Sequence, residues 1–372
     1  MANSFYITAG LPVLKGLDDS LTSGTNSLFL SAGLAPRIDT TTYYVDPDAT
    51  GDDNGQTKAG AWTSLQRAIN GADGTAPTGG DIVFCKGTEY PTAQVDVTAL
   101  VTYKDPWLRF IGCGSDWTPG AARYHLDFGT NTCHGLVFDD ASDISLEHFE
   151  ISTDLTTGEY YGITEEVDDS NVVFIDCYIH GWKLNLQCYS SVKGLFINCL
   201  FSDAYGTYGC NCRYCTMIGC TFFDNDYDGI NAGVGMTVYG CVMRGNNVGL
   251  RCSSGGNVIM NCVFHANLQG IYITGRYMSP LIGCRFTANS NYGYRHLDPE
   301  DWAAFIGCYF QNTTDVYDGC YYIDIDPDGN GITTVFGGTD TDYGYVSPGA
   351  PDHNYNLRSD ATNREMSVEL LP

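Results

Sequence analysis

One four-residue phrase, closed each time by a cysteine, returns along this chain at a nearly fixed interval. It reads Phe174-Ile175-Asp176-Cys177, Phe196-Ile197-Asn198-Cys199, Met217-Ile218-Gly219-Cys220, Val238-Tyr239-Gly240-Cys241, Ile259-Met260-Asn261-Cys262, Leu281-Ile282-Gly283-Cys284 and Phe305-Ile306-Gly307-Cys308. The cysteines advance by 22, 21, 21, 21, 22 and 24 residues. A period of that size marks a solenoid, in which each repeat buries its apolar side only by stacking on its neighbours.

A second phrase, out of phase with the first, begins at Gly162-Ile163, Asn185-Leu186, Gly209-Cys210, Gly229-Ile230, Gly249-Leu250, Gly270-Ile271, Gly293-Tyr294 and Gly319-Cys320. Its leading residue is Gly or Asn, and the residue before each ladder cysteine is Gly, Asn or Asp. These types best tolerate positive φ, so the sequence predicts two columns of bends, each joined to a short apolar strand. Coils of this build resemble the right-handed parallel β-helix family, the pectate-lyase-like solenoids, and most of all its viral spike-type members. The resemblance covers about residues 130 to 326. It implies an all-β parallel β-helix with a helix and strand cap at its entry and non-coil terminal segments.

Four segments follow. Residues 1–40 hold two strand-like pieces, Ser4 to Leu11 and Ser27 to Leu34, outside the coil pattern, and read as an arm or anchor. Residues 41–105 read as an N-terminal cap, because Ala61, Trp62, Leu65, Ala68 and Ile69 fall on one helical face. An end cap is required to cover the apolar side chains and strand edges of the first coil. The β-helix is expected over 106–330, and the aperiodic 331–372 reads as an exit cap or contact segment.

With 18 Lys and Arg against 44 Asp and Glu, the net charge of -26 argues against a nucleic-acid partner. No apolar run reaches the length of a membrane span. Met1 to Gly16 has no basic leader and carries Pro12 and Lys15 within its apolar stretch, so no signal peptide is expected. The 16 cysteines read as core thiols, since stacked side chains share a direction and do not turn toward one another. Cys188, Cys212 and Cys252 form a file three residues after the second phrase begins. Cys210-x-Cys212-x-x-Cys215 has the look of a metal run, but a whole pleat separates Cys210 from Cys212, and the core-thiol reading is preferred.

Neighbouring side chains of a strand point to opposite faces. The column Phe174 to Phe305 and the next one, Ile175, Ile197, Ile218, Tyr239, Met260, Ile282 and Ile306, are nevertheless both apolar. One must face outward, giving a stripe roughly 30 Å long over these rungs, more than a monomer usually leaves bare. The stripe is expected to be covered, by a chain terminus or by another copy of the protein, and a parallel homotrimer with it toward the axis is the expected arrangement.

The outward positions of the second phrase offer Asn211, Arg213, Asn231, Arg251 and Tyr272, suited to sugar hydroxyls or uronate groups. No cofactor is called for, but Asp224, Asp226 and Asp228 match the first half of a Ca2+ loop, as do Asp324, Asp326 and Asp328. Both lack the later Glu. If catalysis occurs, Asp226 or Asp228 with Arg251 is the set to test. Glu166 belongs to an acidic run that reads as solvated loop, and the histidines read as scattered. The Asn-Thr-Asp and Arg-Ile-Lys signatures of polygalacturonase-like solenoids are absent.

Two functions are expected from these readings. The first is a structural or host-contacting bacteriophage virion protein (spike, fibre or decoration subunit), assembled in the host cytoplasm, touching other virion proteins through residues 1–40 and binding cell-surface polysaccharide. The alternative is a polysaccharide lyase or other carbohydrate-active enzyme.

Overall fold

The computed structural model describes residues 41–71, 76–98, 107–139, 143–165, 171–188, 194–275, 280–297, 302–316, 321–324 and 335–336. The expected arm, Asp326 and Asp328 of the second Asp loop, Glu166 and nearly all of the C-terminal segment lie outside them. Among the described residues, strands form three parallel sheets of 12, 11 and 10 members, here called A, B and C. Each coil visits A, then B, then C, and each strand pairs with its counterpart one coil away. Val172–Ile175 of sheet A, Tyr178–His180 of B and Leu184–Cys188 of C form one such coil.

The two phrases map onto this path. The residue before each ladder cysteine makes the corner from A to B in the left-handed conformation, with φ of 53° at Asp176, 54° at Asn198, 65° at Gly219 and 62° at Gly240. Phe174, Phe196, Met217, Val238, Ile259, Leu281 and Phe305 point inward and are fully buried. Stacked rings such as Phe174 on Phe196, 5.2 Å apart, and Phe286 on Phe310, 4.4 Å apart, fill the prism. Each buried ring contributes about 2 to 3 kcal/mol relative to its exposed state. The ladder cysteines carry thiols, and each donates to backbone carbonyls, as Cys220 does to Phe196 and Ile218. The neighbouring apolar column faces outward, as expected. Ile175, Ile218, Tyr239, Met260, Ile282 and Ile306 are half-buried, and Ile197 is buried.

The second bend differs from the expectation. It falls on Gly181, Asp203, Asp224, Gly245, Ala266 and Ala288, all at positive φ, between sheets B and C. The glycines that open the second phrase serve close packing instead. A Cβ on Gly229 would meet the Gly249 carbonyl oxygen at 2.7 Å, and one on Gly249 would meet that of Gly270 at 2.6 Å. Glycine is kept there because the rungs touch, not because φ is unusual.

Immediately after the second bend runs a file of buried asparagines, Asn225, Asn246, Asn267 and Asn289, continued by Asn312. The Asn225 side-chain amide donates to the Asn246 carbonyl oxygen at 2.9 Å, Asn246 to Asn267 at 3.1 Å, and Asn267 to Asn289 at 3.1 Å. The same oxygens accept backbone N–H groups from the rung before, as from Asn225 at 3.2 Å. These asparagines thus form a hydrogen-bonded ladder, which satisfies polar groups that burial would otherwise penalise.

The solenoid also begins earlier than expected. Thr42–Val45 and Ile82–Lys86 are already the first rungs of sheet A, and Val95–Thr98 is the end strand of sheet C. The entry helix spans Leu65–Asn70, capped by the Ser64 hydroxyl and ended by Gly71 at φ 62°. Its Gln66 accepts from the Asp96 N–H at 2.7 Å and donates to the Asp96 carbonyl at 3.1 Å, pairing the open strand as a further strand would.

Asn246→Ala removes partners from several buried groups at once. It is expected to cost about 2 to 4 kcal/mol in chemical denaturation, against under about 1 kcal/mol for the adjacent Asn247→Ala.

Candidate functional site

The outward face of sheet C carries most of the residues expected to bind sugar. Pairing places Gln187, Asn211, Asn231, Arg251, Tyr272 and Arg295 on consecutive rungs of one file. Asn231 donates to the Asn211 side-chain oxygen at 3.2 Å. Tyr272 lies between two cations, with the Arg251 guanidinium 4.9 Å and the Arg295 guanidinium 4.8 Å from its ring centre. Arg295, one rung beyond, was not among the expected residues. Arg213 stands apart from the file: it is exposed in the turn after Tyr208–Cys212, against Gly233. The side-chain carbonyl oxygens of Gln187 and Asn231 are buried and, among the described residues, accept no hydrogen bond.

Of the expected catalytic set, the structure brings Asp228 and Arg251 together and leaves Asp226 on the bend. Asp228 is wholly buried and gripped by Arg251, whose Nε and Nη2 donate to its two oxygens at 2.5 and 3.1 Å. Burial pushes the Asp228 carboxyl up from its ordinary pKa, and the Arg251 hydrogen bond pulls it back. A carboxylate enclosed and doubly hydrogen-bonded in this way has no path to a substrate proton. Asp224 and Asp226 are exposed on the bend, while Asn225 between them is buried in the ladder. Among the described residues, no set of three carboxylates brings its oxygens together as a Ca2+ loop requires.

A second constellation escaped the sequence reading. At the corner from sheet A to sheet B, three early coils align Arg123 and His125, then His148, Glu150 and Ser152, then Asp176, Tyr178 and His180. His125 pairs with Glu150, Glu150 with Tyr178, and Ser152 with His180. Glu150 Oε1 lies 3.2 Å from His180 Nε2 and 4.0 Å from His125 Nε2. Asp176 Oδ2 lies 2.8 Å from His148 Nδ1, and Arg123 reaches Asp176 Oδ1 at 3.1 Å. The His148 hydrogen bond, with help from Arg123, holds the Asp176 carboxyl below its usual range. Tyr178 stacks on the His180 ring at 4.1 Å.

These histidines are 23 and 32 residues apart, so unequal early coils hid their alignment. The available signal was His148 itself, which holds the A-to-B corner at φ 58° where the regular coils place Asp, Asn or Gly before cysteine. The corner assembles imidazoles, carboxylates and a guanidinium, which can hydrogen-bond a polyhydroxylated ligand or exchange a proton with it.

Breaking the Asp228 pair tests its electrostatics. Arg251→Met strands a buried carboxylate and is expected to cost about 3 kcal/mol at pH 7. With the cation gone, the folded-state pKa of Asp228 lies above its unfolded value. The stability is therefore full below the unfolded pKa and is lost as pH rises through the folded one. The deficit should accordingly shrink as pH falls toward about 4, and adding Asp228→Asn should restore much of it at pH 7.

The comparisons with known proteins agree with the architecture. Residues 161–314 match the family model described as a right handed beta helix region. The chain is similar to a rhamnogalacturonan lyase, with 14% identity over 82% of this chain and 91% of that one and a TM-score of 0.57. It is similar also to pectate lyase Pel9A, with 15% identity over 77% and 79% of the two chains and a TM-score of 0.54. An ORF18 protein of Geobacillus virus E2 aligns with 14% identity over 80% of this chain and 60% of that one, with a TM-score of 0.41. For the two lyases, at such identities, the likeness is one of fold. No curated protein matches the chain in sequence. Period, coil path and family-model match converge on one fold: this chain is a right-handed parallel β-helix.

Proposed function

We propose that this protein is a glycan-contacting β-helix that associates with copies of itself, as a spike, fibre or decoration subunit of a bacteriophage virion. One observation carries the reading: the outer faces of the same prism differ in kind. Sheet A presents the file from Ile175 to Ile306, apolar on every rung. Sheet C presents Asn211, Asn231, Arg251, Tyr272 and Arg295. A continuous apolar file favours being covered, and a parallel homotrimer covers it with copies of itself. A file of amides, guanidiniums and an aromatic ring favours hydroxyls, carboxylates and sugar faces. In this arrangement sheet A lies at the assembly axis, sheet C meets a cell-surface polysaccharide, and residues 1–40 join the subunit to other virion proteins.

A second reading, polysaccharide lyase or related enzyme, is favoured by the corner of His125, Glu150, Asp176 and His180, where bases and acids meet on a half-exposed surface. Unsaturated uronates or new reducing ends released from acidic polysaccharides, and lost in His180→Ala, would favour that reading over a binding role.

Light scattering at micromolar concentration is expected to give three times the chain mass, falling to one chain in Ile218→Asp/Ile282→Asp. Calorimetric titration with acidic oligosaccharides is expected to show binding weakened about tenfold by Tyr272→Ala, the size of a lost aromatic and cation contact. A wild-type monomer, or affinity unchanged in Tyr272→Ala, would overturn the corresponding half of the proposal.

A further inference from the structure

The thiols inside the prism are not all alike. The seven-membered ladder from Cys177 to Cys308 runs as a line, each sulfur donating to carbonyls of its own coil and the coil before. A different geometry arises where sheet C turns back toward sheet A. Cys188 and Cys212 are direct partners on adjacent strands, so strand spacing stacks their side chains. Cys215 enters from the turn after Tyr208–Cys212, its thiol donating to the Arg213 carbonyl at 3.3 Å. The three sulfurs lie within 4.8 Å of one another. Among the described residues, theirs is the one group of three or more Cys, His, Asp or Glu side chains that closes to this extent.

The sequence directed attention to Cys210, Cys212 and Cys215. Cys210 stays outside the closed group, and Cys188, 24 residues before Cys212, takes its place. All three thiols are almost wholly shielded from solvent, at 2% exposure or less. The rung above Cys212 carries only the methyl group of Ala232, so the file narrows directly over the cluster.

We propose that Cys188, Cys212 and Cys215 form a three-coordinate site for a soft monovalent cation, copper(I). Metal–thiolate bonds of about 2.3 Å place trigonal sulfurs about 4 Å apart, which small side-chain rotations of this triangle supply. Three sulfurs without oxygen or nitrogen donors select a soft ion. A tetrahedral zinc site would need a fourth ligand that the closed group lacks. Copper(I) takes the place of the three thiol protons, which leave to solvent, so the loaded site holds one positive charge among three thiolates, a net charge of minus two. A divalent ion would have to shed its water shell at a greater cost in the same place.

The test uses the full-length reduced protein, titrated anaerobically with copper(I) against a competing chelator. One tight equivalent is expected in the wild type. It should persist in Cys241→Ser, which alters an equally buried ladder thiol, and weaken at least about a hundredfold in Cys212→Ser or Cys215→Ala, a ligand being worth no less than an outer partner. Copper X-ray absorption of the loaded wild type, which needs no variant to fold, should show three sulfur neighbours. No tight equivalent, equal loss in Cys241→Ser, unchanged binding in Cys212→Ser, or a two-sulfur or nitrogen and oxygen shell would each overturn the proposal.

Discussion

Backbone hydrogen bonding between successive coils is the interaction on which the rest of this structure depends. Because the strands are parallel and in register, each side chain meets its own counterpart about 4.8 Å away, and any residue type that recurs with the period becomes a continuous file. That rule makes unusual residues affordable in the core. A buried asparagine alone would be a liability, but stacked on Asn225, Asn246, Asn267 and Asn289 it finds its donor and acceptor on the neighbouring rungs. The same rule lets phenylalanines stack face to face, and lets glycines such as Gly229 and Gly249 bring adjacent coils into contact where no Cβ would fit.

Much of this was legible in the sequence because files are periodic. The cysteine phrase gave away the period, the inward column and the A-to-B corner, since Asp, Asn and Gly advertise a left-handed conformation. The B-to-C corner was not legible, because Ala266 and Ala288 adopt positive φ with no side-chain signal, held there by pairing on both sides. The opening glycines misled for the converse reason, since glycine also answers to contact distance. The first coils were hidden by excursions, among them the helix Leu65–Asn70, that interrupt the period between Thr42–Val45 and Ile82–Lys86.

The candidate sites differ in how far periodicity exposes them. The sheet C file of Asn211, Asn231, Arg251 and Tyr272 could be read because it recurs on regular rungs. Sequence could place Asp228 one coil from Arg251 but could not show that the two form a buried ion pair. The corner of His125, His148, Glu150, Asp176 and His180 was missed because chemistry there is assembled across coils of unequal length. A solenoid thus separates its labours: repeated positions build the prism, and departures from the repeat mark places where the surface does something of its own.

Register can be measured along the outside of the prism. Thr42, Thr216 and Val258 belong to one outward file of sheet A, with Thr216 six rungs and Val258 eight rungs from Thr42. Spin labels on cysteines introduced at these positions, in chains diluted with unlabelled protein, can be compared by double electron–electron resonance. The account predicts separations of about 29 Å for residues 42 and 216 and about 38 Å for residues 42 and 258, one strand spacing per rung. Two distances that are equal, or a shorter one for the pair farther apart in sequence, would contradict it.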